Sequence, residues 1–169
     1  MTVRLTAGLI VSCQAEEGSP FLGTEFIVAF ARAAELGGAV GLRLCGLENV
    51  RAVRSVTRLP LIGITKHSYR NGEVLITEAE SDAHVLVAAG ADVVALDVTA
   101  RQRPCGETST ALLTRLTKSL AVALMADVSN VTEGLAAAAS GATYVGTTLS
   151  GYTAETCGRS AGLALRPPP

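Results

Sequence analysis

The apolar residues of this chain fall into short runs, each followed by a stretch with helical spacing, and that alternation restricts the fold more than any other feature. Strands are predicted at 8–13, 39–44, 61–65, 92–97, 121–127 and 143–147, and helices at 24–36, 47–56, 78–89, 107–119 and 129–140. Strand starts recur roughly every twenty to thirty residues, the length of one βα unit. Leu61 to Thr65 is a continuous apolar run, as expected of a parallel strand covered on both faces. Gly37-Gly38, Gly90 and Gly141 each stand between a helix and the next strand, where a left-handed cap favours glycine. Thr24, Thr77 or Ser81, and Ser129 fit as N-caps. After Lys66 the pattern breaks. There "SYRNGEVLIT" carries Asn71-Gly72 between β-prone runs, which predicts a hairpin inserted in the third strand-to-helix connection, over the strand ends.

Strands linked by helices form an α/β fold, either a closed barrel or an open doubly wound sheet. An open sheet often has a Gly-rich phosphate loop after its first strand. Here that place reads "QAEEGSPF", with no G-x-G-x-x-G and no Walker pattern, which favours a barrel. Net charge is -1 with no block of like charge, so nothing points to nucleic acid or an anionic membrane. The apolar stretch 7–13 is short and lacks a cleavage pattern, and no run reaches the ~18 residues of a membrane span. The expectation is a soluble, cytoplasmic protein. The four cysteines are widely spaced, and with only two histidines beside them they fit free thiols better than a zinc site.

In a barrel, active residues collect at the C-terminal ends of the strands. The residues there are Ser12 and Gln14, Arg43, Lys66, Asp97 with Thr99, Asp127, and Thr147 with Thr148. Singly, each fits a helix cap, a turn or a solvated charge. Together they offer cations for an anionic substrate and carboxylates for hydroxyls. Lys66 is the most informative, because a lysine acts as a base once burial or a nearby positive charge brings its pKa down from ~10.4. The strand end is expected to bury it partly, with Arg43 on the adjacent strand as the charge. Proton abstraction beside a carbonyl and Schiff-base formation both remain open. His67 is expected to point away from the site, and His84 to be structural. Arg101 and Arg103 in "ARQRP" either reach an anion or are solvated.

The ordered motifs "GLIVSCQA" (8–15), "GGAVGLR" (37–43), "LPLIGITK" (59–66), "VVALDVTARQRP" (93–104), "LMADVSNVTEG" (124–134) and "YVGTTLSGYT" (144–153) resemble the N-acetylmannosamine-6-phosphate 2-epimerase family. The resemblance implies a (β/α)8 TIM barrel and interconversion of N-acetylmannosamine 6-phosphate and N-acetylglucosamine 6-phosphate, in bacterial sialic acid and amino-sugar catabolism. It implies no cofactor and no metal. By motif, Lys66 is the acid/base lysine, Arg43 stabilises an enolate-like intermediate, and Gln14 and Asp127 hold substrate oxygens, with Thr147 and Thr148 also at the substrate.

The chain departs from that pattern in length. A (β/α)8 barrel typically takes ~250 residues, whereas this chain has 169 and shows about six βα units. The expectation is a partial barrel over 1–156 and an aberrant, disordered tail over 157–169, as after an early stop or a frame shift. The family's glutamate and its phosphate loop have no counterpart, and the first and sixth strands are left as open edges. Two readings follow: an epimerase, with a homo-oligomer covering the gap, or an inactive remnant that at most binds sugar phosphate. A Schiff-base aldolase of similar architecture is a third.

Overall fold

The computed structural model describes residues 4–70 and 72–158. Asn71 and most of the expected tail, 159–169, lie outside the described residues. The elements are β1 (Ile10–Cys13), α1 (Thr24–Leu36), β2 (Gly41–Cys45), α2 (Leu47–Arg54), β3 (Leu61–Ile64), β4 (Lys66–Ser68), β5 (Val74–Ile76), α3 (Glu80–Ala88), β6 (Val93–Asp97), α4 (Ser109–Ser119), β7 (Ala123–Asp127), α5 (Val131–Ala139) and β8 (Tyr144–Gly146). Every predicted strand and helix is present, with ends displaced by a few residues.

Six strands form one parallel sheet in the order β1-β2-β3-β6-β7-β8. Each sheet strand lies beside the next one along the chain, with no reversal of order. A doubly wound sheet reverses at a switch point, so the order itself selects the barrel type. The helices follow suit, with α1 on α2, α2 on α3, α3 on α4 and α4 on α5. The remaining pair, β4 and β5, is the expected hairpin, antiparallel with Lys66 opposite Ile76. Gly72, at φ 84, lies in its turn and donates its N–H to Tyr69 O at 2.9 Å.

Period-two alternation gives the sheet two different faces. One face, with Leu42, Leu44, Leu61, Val94, Leu96, Leu124 and Ala126, is buried against the helices. The other carries Ile62, Ile64, Val93, Ala95 and Ala123, which pack with Ile76 and Leu149 into a smaller cluster. That second face is the lumen of the barrel. Two contacts show that the sheet curls around it. The Leu5 N–H reaches the Tyr144 hydroxyl at 2.9 Å, linking the segment before β1 to the last strand. Arg43 on β2 also bridges to Asp127 on β7, strands that would stand three spacings, ~14 Å, apart in a flat sheet.

Some caps differ from expectation by a residue or two. Asn130, not Ser129, caps α5 by accepting the Glu133 N–H at 2.9 Å, while Ser129 gives its N–H and hydroxyl to the Glu133 carboxylate. Gly23 precedes α1 and Ala79 precedes α3, so neither helix has a side-chain cap at that position. Gly90 holds its place for two reasons. Its φ is +106, and an added Cβ would stand 2.8 Å from Arg54 Cγ. Arg54 cannot easily move aside, since it bonds Asp92 and the carbonyls of Thr57 and Leu59. Gly90→Ala is therefore expected to cost about 1–3 kcal/mol, read as a lower urea midpoint at unchanged slope.

Candidate active site

The parity that makes Ile62 and Ile64 lumen residues also places Lys66 on that side at the end of β3, with Arg43 and Cys45 on β2, Asp97 on β6, and Asp127 on β7. At the centre lies a bidentate ion pair. Arg43 Nη1 donates to Asp127 Oδ1 at 3.0 Å and Nη2 to Oδ2 at 2.7 Å. Asp127 is fully buried, and the Arg43 side chain is 11% exposed. A guanidinium has five N–H donors, so the pair leaves others for a ligand. Burial pushes the Cys45 thiol pKa up, while the charges of Lys66 and Arg43 pull it down. Both cations therefore stand close to one thiol.

Lys66 corrects an expectation. It is exposed, not partly buried. The chain turns into the hairpin at this residue, and among the described residues β8 and β1 are not paired with each other. His67 faces the other way, with Nε2 2.9 Å from Asp82 Oδ2 on α3 and Nδ1 3.8 Å from Glu78. The Tyr69 hydroxyl donates to Glu78 as well, and that bond pushes its pKa up to about 12. These contacts latch the hairpin to the start of α3.

Gln14 stands just past β1, where its Nε2 donates to Ser12 Oγ at 2.6 Å. Thr147 and Thr148 follow β8 and are exposed. Asp97 is buried and engaged locally: its carboxylate accepts from the Thr99 N–H and hydroxyl and from Arg101. Arg101 and Arg103 are not solvated. Arg103 is 4% exposed and donates to the carbonyls of Glu78, at 2.6 Å, and Asp97. It thereby ties the loop behind the hairpin to the end of β6. In that loop Thr77 has φ 45, a strained value for a β-branched residue. Thr77 is held there by its bonds with Thr65.

Two concavities of about 470 and 350 Å3 lie elsewhere, outside α4 and between the ends of α1 and α2. Neither is at the strand ends.

Against known proteins, a family model described as "Putative N-acetylmannosamine-6-phosphate epimerase" matches residues 27–165. The chain belongs to this family. Among curated proteins of the family, one from Synechococcus elongatus is 48% identical over 158 residues, 93% of this chain and 68% of its own length. Another, from Yersinia pseudotuberculosis, is 46% identical over 162 residues, 96% of this chain and 68% of its own length. Both carry the name N-acetylmannosamine-6-phosphate 2-epimerase, qualified as putative. The solved structure of the N-acetylmannosamine-6-phosphate 2-epimerase from Clostridium perfringens superposes with a TM-score of 0.83 at 36% identity, over 90% of this chain and 66% of that one. The chain thus spans about two thirds of the length of these epimerase-family relatives, and its fold is an incomplete (β/α)8 barrel.

Sequence reasoning listed the polar residues at the strand ends and named Arg103 as anion-binding or solvated, but it missed Cys45 and Tyr144 at this epimerase-family site. Cys45 was legible in principle, because it lies two residues past Arg43 on the same face. The partners of Arg103 and Tyr144 were not, since they lie 25 and 139 residues away. Thiol labelling checks the site's openness. A raised pKa leaves less thiolate at any pH, so at pH 8 iodoacetamide is expected to modify exposed Cys105 and Cys157 well before Cys45 and buried Cys13. Cys45 reacting as fast as Cys105, by peptide mass mapping, would show a mouth more open than described.

Proposed function

We propose that this chain acts on N-acetylmannosamine 6-phosphate at C2, with Lys66 as the proton-transfer group. The observation that carries the reading is the Arg43–Asp127 pair in the lumen, beside the strand-end lysine, in a chain of the epimerase family. In the open-chain sugar the C2 hydrogen lies next to the C1 carbonyl. The neutral Lys66 amine removes it, and the charge that develops on the carbonyl oxygen is met by N–H groups of Arg43. Asp127 holds that guanidinium in place, so the donors are set before the charge appears. Solvent water, which reaches the exposed Lys66, delivers a proton to the opposite face of C2 and gives the N-acetylglucosamine configuration, while the Lys66 ammonium returns its proton to solvent. Gln14 binds a substrate oxygen from the end of β1, and Thr147 and Thr148 do so from the end of β8. Asp127 holds an oxygen directly once the pair opens. The pathway is amino-sugar catabolism, including that of sialic acid.

A second reading is favoured by one observation, the exposure of Lys66. An exposed side chain is not held by the protein in one position beside C2. In that reading the chain binds the sugar phosphate without turning it over. Proton NMR in deuterated water separates the two. Deuterium entering C2 of N-acetylmannosamine 6-phosphate, with conversion, supports epimerisation. Binding shifts without exchange support the second reading. Borohydride trapping of a covalent adduct would point instead to an imine and overturn the proton-transfer route.

A further inference from the structure

We infer that His67 is a positioning residue: held against α3 on one face of the hairpin, it aims the Lys66 amine from the other face at the mouth beside Arg43 and Cys45. The aim follows from the fold, and only its chemical use rests on the epimerase reading. Neighbouring residues on a strand point to opposite faces, and the hairpin keeps that alternation. Lys66 and Ser68 are exposed, whereas His67 between them is half-buried. Lys66 stands opposite Ile76, which packs into the lumen cluster, while His67 stands opposite Leu75. On the lumen face Cys45 is paired with Ile64, so Lys66, two residues on, is its diagonal neighbour. Lys66 makes no side-chain hydrogen bond among the described residues. Its aim is therefore set by the backbone that carries it.

That backbone is pinned from the α3 side. At the base of the hairpin the Thr77 N–H donates to Thr65 O at 3.1 Å and the Thr65 N–H to Thr77 Oγ1 at 3.2 Å. Two bonds at one end act as a hinge, so a contact farther out has to stop the ribbon turning. His67 supplies it, with Nε2 2.9 Å from Asp82 Oδ2 and Nδ1 3.8 Å from Glu78 Oε1. Asp82 Oδ2 is itself fixed, since it also accepts the Ala79 N–H at 3.3 Å. Tyr69, one alternation further along, donates to Glu78. The Asp82 and Glu78 side chains are only 16% and 18% exposed, so little water competes for them. Loss of His67 removes the contact next to Lys66 and lets the ribbon turn about Thr65 and Thr77. Cys45 reports such a movement, because the Lys66 charge pulls its thiol pKa down, ahead of that of Arg43.

The test reads the pH dependence of Cys45 alkylation by iodoacetamide, by peptide mass mapping, in the parent, Lys66→Ala, His67→Ala, His67→Gln and the Lys66→Ala, His67→Ala double variant. A nearby ammonium favours the thiolate, so Lys66→Ala is expected to move the Cys45 profile to higher pH by about half a unit or more. His67→Ala is expected to move it the same way, and the double variant no further than Lys66→Ala. His67→Gln, whose amide donates to Asp82 in place of Nε2, is expected to restore most of the parental profile. A His67→Ala profile that matches the parent overturns the inference, as does a shift that adds to that of Lys66→Ala. So does a Lys66→Ala profile that matches the parent, since the amine would then not lie beside Cys45. Exchange at C2 of N-acetylmannosamine 6-phosphate in deuterated water is read separately. Where the parent exchanges, His67→Ala is expected to lower kcat about tenfold with KM within about twofold, and an unchanged kcat overturns the positioning role. A parent without exchange counts against the epimerase reading alone, and the Cys45 profile still decides where Lys66 is aimed.

Discussion

Arg43→Ala is expected to lower the unfolding free energy by about 3–5 kcal/mol, the cost of leaving a buried charge without its partner. Asp127 has no exposed surface, so no water replaces the two guanidinium bonds at 3.0 and 2.7 Å. Asp127→Ala is expected to cost somewhat less, because the Arg43 side chain is 11% exposed and its charge can reach solvent. The double variant Arg43→Met with Asp127→Leu is expected to recover much of the loss, since an apolar pair of similar volume removes both desolvation costs. Arg43→Lys keeps the charge but not the fork, and should fall between. Urea unfolding of the four variants reads these differences. An Arg43→Ala loss below about 1 kcal/mol, the range of exposed pairs, would mean that water enters the lumen as far as Asp127.

Lys66→Ala is expected to act oppositely, on chemistry and not on stability. The side chain is exposed and makes no side-chain hydrogen bond among the described residues, so the unfolding free energy should stay within about 0.5 kcal/mol of the parent. A positioned acid/base group contributes about 10²–10⁴-fold, and deuterium entry at C2 should fall by that factor. The comparison has to be made with Arg43 intact, because the guanidinium acts on the same intermediate. Exchange that persists in Lys66→Ala would remove the lysine from the mechanism. A drop in both exchange and stability would show that the amine is part of the lumen packing after all.

Much of the architecture was legible in the chain. Strands 61–65 and 92–97 show as apolar runs because both of their faces are buried, and the glycines at 90 and 141 mark the ends of α3 and α5. The barrel was favoured over an open sheet by the lack of a phosphate loop after the first strand, and the sequential strand order agrees. The candidate site was legible as a list of polar residues at the strand ends. It was not legible as a set of contacts. Lys66 was expected to be partly buried, and it is exposed, because burial at a strand end depends on what stands across the lumen.

The sequence alone determined the alternation of elements, the polar residues at the strand ends, and the family resemblance. These depend on spacing over two to four residues, which the chain carries locally. Only the tertiary structure decided that Arg43 is spent on Asp127, that Arg103 holds the loop at Thr77, and that Lys66 is exposed. Those pairings join residues 84 and 25 positions apart. They depend on the sheet's curvature, which accumulates strand by strand and is written in no single segment.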